Sequence, residues 1–263
     1  MLKFLVKSFV IISVFDAILF VLLLRRANLR DGRMKSMLIV IDGTDGSGKA
    51  TQTKLLVENL KSIFMDAGIN KKVVHLEFPN YESSSATLVK EYLAQEHLIE
   101  NPYQSSLYYS VDRIATFVKK DETGESLLSK FNDGGYIFIC DRYTTSNILH
   151  QSTNFKGRKL NKFIKDIENI EYKLCGLPRP EMVIYLDVEP EVSMDNITRR
   201  YNGDESKKDS HENIEHLTSV YNNRGNIIEK LKWEKVVCSD NGSMRTIESI
   251  SDEILDKVLD LFI

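Results

Sequence analysis

The sequence is short of several things at once. Its 263 residues include three cysteines, Cys140, Cys175 and Cys238, odd in number and far apart. That excludes a disulfide framework or a metal knuckle and points to a reducing compartment. Five prolines and thirteen glycines exclude collagen-like and mucin-like chains, and 42% hydrophobic against 28% charged residues excludes a disordered one. Internal repeats and low-complexity tracts are lacking. Excess cations are lacking too: the formal net charge is −3, whereas a nucleic-acid binder usually carries a basic face to neutralise phosphates. No nucleic-acid partner is expected, and any phosphate chemistry must be local. The length is ample for one large α/β domain or two small ones.

The charge is divided unevenly. Residues 1–35 carry seven basic side chains (Lys3, Lys7, Arg25, Arg26, Arg30, Arg33, Lys35) against Asp16 and Asp31, so the remainder carries −8. Between Lys7 and Arg25 runs SFVIISVFDAILFVLLL, residues 8–24, which as a helix would span about 25 Å, short of a bilayer's apolar core. Asp16 in its middle is costly there. Three readings stay open: a marginal anchor, cytoplasmic on its C-terminal side because the cations cluster after Leu24; a cleaved export signal, although no small-x-small site follows Leu24; or a start codon placed too early, with Met34 or Met37 as the true beginning. Membrane contact is expected only through residues 8–24. The expected division is a basic apolar segment at 1–35 and one domain at 36–263, in the cytoplasm or tethered to the inner face of a membrane.

From Met37 strand and helix signals alternate. Apolar runs of strand length occur at Leu38 to Ile41, Val73 to Leu76, Tyr136 to Cys140, Met182 to Leu186 and Lys235 to Cys238. Helical spacing is seen over Lys49 to Phe64, Tyr103 to Val118 and Gly157 to Cys175. Five buried strands with helical crossovers predict an α/β fold, a parallel sheet flanked by helices. The polar stretch Arg199 to Asp209 reads as a mobile surface loop.

The strongest chemical signal is Gly43-Thr44-Asp45-Gly46-Ser47-Gly48-Lys49, a phosphate-binding loop placed between a predicted strand and a predicted helix. Its glycines let backbone amides wrap a phosphate, the helix terminus adds partial positive charge, and Lys49 reaches the β/γ oxygens. The next position, usually a hydroxyl that holds Mg²⁺, is Ala50. Thr51 comes one step late, about 100° round the helix, and does not replace it. Magnesium must then be held by phosphate oxygens, water and a carboxylate. Asp141-Arg142-Tyr143 follows the third predicted strand, where an open α/β sheet faces its ligand crevice. Asp141 would orient Mg²⁺ or its water, and Arg142 would clamp a phosphate. On the helix from Tyr103, the stripe Tyr103, Leu107, Val111, Ile114 and Val118 is the expected core face, with Tyr109 and Arg113 opposite it as an aromatic and a cation for a base.

These pieces resemble the thymidylate kinases, P-loop nucleoside monophosphate kinases. The resemblance runs from about Leu38 to the C-terminus, on IDGTDGSGKATQ, Glu77-Phe78-Pro79-Asn80-Tyr81, Tyr109 to Arg113, Asp141 to Asn147 and Ile184 to Val192. It implies a P-loop NTPase fold with a mobile lid, ATP and Mg²⁺ as cofactors, dTMP as substrate and a homodimer. It also implies residue roles. Asp45 would hold the 3′-hydroxyl of dTMP and lie near Mg²⁺, as would Asp141. Phe78 would line the substrate site, Tyr109 would stack on thymine and Arg113 would bond its O4. Arg142 would hold the acceptor phosphate, Ser146 and Asn147 would line the base pocket, and His150 stands where these enzymes often place an aromatic against the sugar.

Two further positions depart from the family pattern. Tyr81 replaces an arginine that reaches the acceptor phosphate. Gly46 stands where some members carry an arginine aimed at the γ-phosphate. Members lacking it supply one from the lid, for which Arg199, Arg200, Lys207 and Lys208 are candidates, the two arginines preferred for bidentate contact. The acceptor is already an anion, so in-line placement and charge neutralisation do the work without a strong base. Two alternatives stay open: a deoxynucleoside kinase with Glu77 as its base, and a membrane-tethered nucleotide-binding protein with little catalysis.

Overall fold

A computed structural model describes residues 35–96, 99, 101–153, 155–204 and 208–262. The apolar run at 8–24 lies outside the described residues, as does Lys207. Among the described residues no helix is long and apolar enough to cross a membrane.

In chain order the main elements are β1 (Met37–Gly43), α1 (Lys49–Asp66), β2 (Lys72–Glu77), α2 (Thr87–Leu93), α3 (Pro102–Val118), α4 (Leu127–Asp133), β3 (Tyr136–Asp141), α5 (Thr144–His150) and α6 (Gly157–Glu168). They continue with β4 (Met182–Asp187), α7 (Pro190–Arg200), α8 (Ile214–Leu231), β5 (Glu234–Val237), the small antiparallel pair β6 (Ser239–Asp240) and β7 (Ser243–Met244), and α9 (Ile247–Leu259). The five long strands form one parallel sheet in the order β2-β3-β1-β4-β5. Each expected strand is present within one or two residues of its apolar run, because a parallel strand covered on both faces reads as a continuous hydrophobic segment.

Side chains alternate across this sheet with period two. Ile39, Ile41, Ile139, Ile184 and Leu186 pack with Leu56, Leu60, Ile254 and Val258 of α1 and α9 on one face. Leu38, Val40, Phe138, Cys140 and Tyr185 pack with Phe117, Ile148, Phe163, Val220 and Ile227 on the other. Strand order reverses at β1, which lies between β3 and β4. The carboxyl ends of β1, β2 and β3 therefore open a crevice bounded by Gly43, Glu77 and Asp141.

Three expectations are corrected. The apolar stripe of α3 does not face the core as a whole. Tyr103 and Ile114 pack inward, but Leu107, Val111 and Val118 are 45%, 48% and 51% exposed, while Ser105, Ser106, Ser110, Asp112 and Arg113 are buried. Each buried polar group on that face is satisfied: the serine hydroxyls by Pro102 O, Ser106 O and Gln151, Asp112 by Asn80 N and Ser85, and Arg113 by Glu171. The helix expected over Gly157 to Cys175 is α-helical only to Glu168. A π-helical turn, Asn169–Leu174, follows and carries Glu171 completely buried. Arg199 and Arg200 belong to the last turn of α7 rather than to a surface loop.

Candidate active site

Each wall of the crevice is built by a local rule. Gly48 (φ 89°) opens α1 without a side-chain cap, which leaves the helix's first amides free for an anion. A Cβ at Gly46 (φ 76°) would lie 2.3 Å from the Ser193 carbonyl oxygen, so an arginine has no room at this position. Asn196 Nδ2 donates to Gly46 O at 2.9 Å, and Thr44 Oγ1 lies 3.2 Å from Ser193 Oγ, so α7 holds the loop from behind. Lys49 is 7% exposed, donates to Thr44 O at 2.7 Å and lies 3.9 Å from Asp45 Oδ1. Burial, followed by the charge of Arg142, lowers its ammonium to about 8.

Arg142 closes the opposite wall. It sits in the left-handed region (φ 62°), held by its amide donating to Ile41 O at 3.0 Å. Its Nη2 donates to Asp45 Oδ1 in a short ion pair, and its Nη1 donates to His150 Nε2 at 3.0 Å. Burial by itself raises the Asp45 carboxyl, but Arg142 and then Lys49 outweigh it and hold the group well below the usual carboxylate range. Asp45, expected at the metal and the sugar, is thus already bound to two cations. Asp141 differs. Its Oδ1 is buried without a hydrogen-bond partner among the described residues, and burial raises its carboxyl. An orphaned carboxylate oxygen suits coordination of a hard cation, or accepts a hydrogen bond from a water on it.

These groups line one cleft of about 410 Å³. It also takes in Ala50, Thr51, Phe78, Tyr109, Arg113, Ser146, Asn147, His150 and Arg200. Of the expected site residues, Gly43, Thr44 and Ser47 are buried behind the lining, and Arg199 is exposed outside it. Arg200 donates to Glu212 Oε1 at 3.0 Å at the cleft's edge. Tyr81 also lines the cleft, and burial raises its phenol.

The base side of the cleft rests on Glu171, which spacing along the sequence did not single out. It accepts from Arg113 Nε (2.7 Å) and Nη2 (2.6 Å), Ser110 Oγ (2.8 Å), Thr144 Oγ1 (2.6 Å) and Asn147 Nδ2 (3.1 Å). Arg113 and Asn147 are therefore clamped in place from behind. Two more carboxylates, also missed, set backbone positions. Asp42 accepts from Ser146 Oγ at 2.9 Å and from Thr145, which seats the start of α5 on β1. Asp112 accepts from Asn80 N at 2.8 Å and Ser85 Oγ at 2.7 Å, which fixes the chain after Phe78. Phe78 is itself stacked on Phe117, with ring centroids 6.2 Å apart.

Three histidines gather at the end of the cleft, and burial keeps all of them neutral. His150 is pushed well below its ordinary range by burial and then by Arg142. Burial lowers His211 to about 4, and burial with the neighbouring His211 lowers His216 to about 3, with Asp45 opposing in both. Above about pH 6.5 these rings are uncharged in the folded and unfolded chain alike. Below it the unfolded chain takes up protons that the folded rings refuse, so stability falls as pH drops toward about 4 for His211 and about 3 for His216. A loss on the order of 1 kcal/mol per ring is expected by about pH 5.5. Urea midpoints measured from neutral to mildly acid pH check this, and a flat profile would exclude neutral burial.

Comparison with known proteins follows the same outline. A family description for thymidylate kinase matches residues 41–250. A thymidylate kinase of Plasmodium falciparum is 29% identical over 228 residues, 87% of this chain and 92% of its own. One of Mycobacterium tuberculosis is 33% identical over 159 residues, 60% of this chain and 68% of its own. The solved thymidylate kinase of Candida albicans superposes with a TM-score of 0.61 at 20% identity, covering 86% of this chain and 92% of that one, a likeness of fold.

Proposed function

The chain belongs to the thymidylate kinase family, nucleoside monophosphate kinases that phosphorylate dTMP to dTDP with ATP as donor, and we propose how its residues divide that work. The observation that carries the division is the Asp45–Arg142 ion pair. It joins the phosphate-binding loop to the end of β3 inside one cleft, so donor and acceptor sites share a wall.

The donor phosphates lie on the amides of residues 46–49 and α1, with Lys49 leaving Thr44 O for the β/γ oxygens. The acceptor phosphate takes Arg142, whose fork offers paired donors once Asp45 turns to the sugar. Tyr109 stacks on the base, and Arg113 and Asn147 meet its polar edge. Asp141, with its unpartnered oxygen, is the residue that fits Mg²⁺ or a water on it. When bound, the cation neutralises charge on the transferring phosphoryl group. With Tyr81 unable to neutralise a dianion, Arg142 carries that duty, and Arg200 at the mouth of the cleft is the lid arginine. No carboxylate has to remove a proton, because a phosphate oxygen is the nucleophile.

The deciding assay couples ADP release to dTMP or to thymidine with Mg²⁺-ATP. Turnover with dTMP and none with thymidine is expected. The reverse result would return the reading to a deoxynucleoside kinase with Glu77 as base.

A homodimer is part of the same reading. The exposed Leu107, Val111 and Val118 form an apolar strip along α3, and a second copy would cover it. Val111→Glu is expected to shift the protein from dimer to monomer in sedimentation. An unchanged mass would remove α3 from the interface.

A further inference from the structure

His150, buried, and His211 and His216, part-buried, have no part in the proposed phosphoryl transfer, and they come from two separate parts of the chain. His150 ends α5, His211 lies in the segment between α7 and α8, and His216 sits in the first turn of α8. One ring nitrogen from each lies within 4.8 Å of those of the other two. We propose that they form a binding site for a divalent transition ion of the zinc type, which pins the segment between α7 and α8 onto α5 and withdraws His150 from Arg142.

The donor set selects the ion. Three imidazoles suit Zn²⁺, Co²⁺ or Ni²⁺ and not Mg²⁺, which takes oxygen ligands. His150 Nδ1 and His216 Nε2 already stand 3.1 Å apart, close to the roughly 3.3 Å edge of a tetrahedron with metal–nitrogen bonds of about 2.05 Å. His211 lies stacked on His216, with centroids 4.3 Å apart, and closes the remaining span by rotating its ring. Outer partners are in place as well. Tyr92 Oη lies 3.3 Å from His211 Nε2, leaving Nδ1 for the ion, and Asn213 caps the amide of His216 at 2.8 Å. Three protein nitrogens leave a fourth position for water.

The coupling to Arg142 follows from tautomers. A guanidinium only donates, so the 3.0 Å contact makes His150 Nε2 an acceptor and puts the ring's proton on Nδ1, which donates to His216 Nε2. An ion on His150 Nδ1 displaces that proton. The neutral ring then carries its proton on Nε2, where it opposes the Arg142 donor. Metal and Arg142 therefore compete for one imidazole, and the bound ion should inhibit transfer to the acceptor phosphate. The binding claim stands on geometry alone, whereas the inhibition claim rests on the proposed role of Arg142.

The test uses the full chain, stripped with chelator and free of nucleotide. Titration with Co²⁺ is expected to give visible d–d bands that saturate at one equivalent, and to lose them in both His211→Gln and His216→Gln. Thermal melts without metal check that both variants fold. No bands in the wild type, or bands that survive both substitutions in folded protein, would overturn the site. In the Mg²⁺-ATP assay, Zn²⁺ is expected to inhibit dTMP turnover, with at least tenfold more Zn²⁺ needed for His216→Gln. Equal inhibition of both proteins would overturn the coupling. Absence of dTMP turnover before any Zn²⁺ is added would instead strike the functional reading and leave the Co²⁺ result to judge the site.

Discussion

Arg142→Ala is expected to lower kcat/KM for dTMP by at least about 10³-fold while leaving ATP affinity within a few-fold of wild type. In the proposed division of work Arg142 meets the acceptor phosphate, since Tyr81 is neutral and Arg113 is committed to Glu171. Its removal leaves a dianion to approach the donor phosphates uncompensated in a partly dry cleft, where each charge interaction is stronger than in water. The donor side survives because Lys49 and the loop amides are set by α1 and by contacts to α7 and Thr44, and loss of the Arg142 charge leaves Lys49 more firmly protonated. Asp45 loses its nearest partner but keeps Lys49 at 3.9 Å, which limits the cost to folding. Arg142→Lys should recover only part of the activity, because an ammonium lacks the fork and reaches less far. Steady-state kinetics with dTMP and equilibrium binding of ATP separate the two effects. Retained turnover would take Arg142 out of the site.

Glu171→Ala is expected to cost about 3–5 kcal/mol of stability, because it strands the buried Arg113 guanidinium and the Thr144 hydroxyl. Arg113 is 1% exposed, and burial would lower it were it not for Glu171, whose charge and hydrogen bonds raise it. With the carboxylate gone, Arg113 and the Thr144 hydroxyl must find water or another acceptor, whereas Ser110 and Asn147 keep the Ser106 carbonyl oxygen. Glu171→Leu combined with Arg113→Leu should be less destabilised than the sum of the single changes, since a buried pair replaced by apolar groups leaves no charge behind. Urea unfolding of the two singles and the double measures the coupling. A cost below about 1 kcal/mol for Glu171→Ala would mean that Arg113 does not rely on it. Any dTMP affinity of the double variant would further show how far Arg113 itself holds the base.

The parts legible in the sequence share a physical character. The loop 43–49 is local: glycines at fixed spacing, a lysine and a flanking strand and helix dictate its shape from within a dozen residues. The strands are legible because a parallel strand buried on both faces must be apolar throughout. Asp141 and Arg142 follow from strand ends, which topology turns toward the ligand. The α3 face was misread for an equally physical reason. Hydropathy marks the side expected to avoid water, but the buried side carries serine hydroxyls, Asp112 and Arg113, while Leu107, Val111 and Val118 lie open on the surface.

Sequence alone determined the sheet, the phosphate loop and the family resemblance, because each is encoded by residue type at short range. Tertiary structure alone decided that Glu171 anchors Arg113 across 58 positions, that Asp45 and Arg142 meet across 97, and that His150 meets His216 across 66. Such contacts leave no periodicity behind. A buried carboxylate or a neutral histidine looks like any surface residue until packing removes the water and makes a partner obligatory.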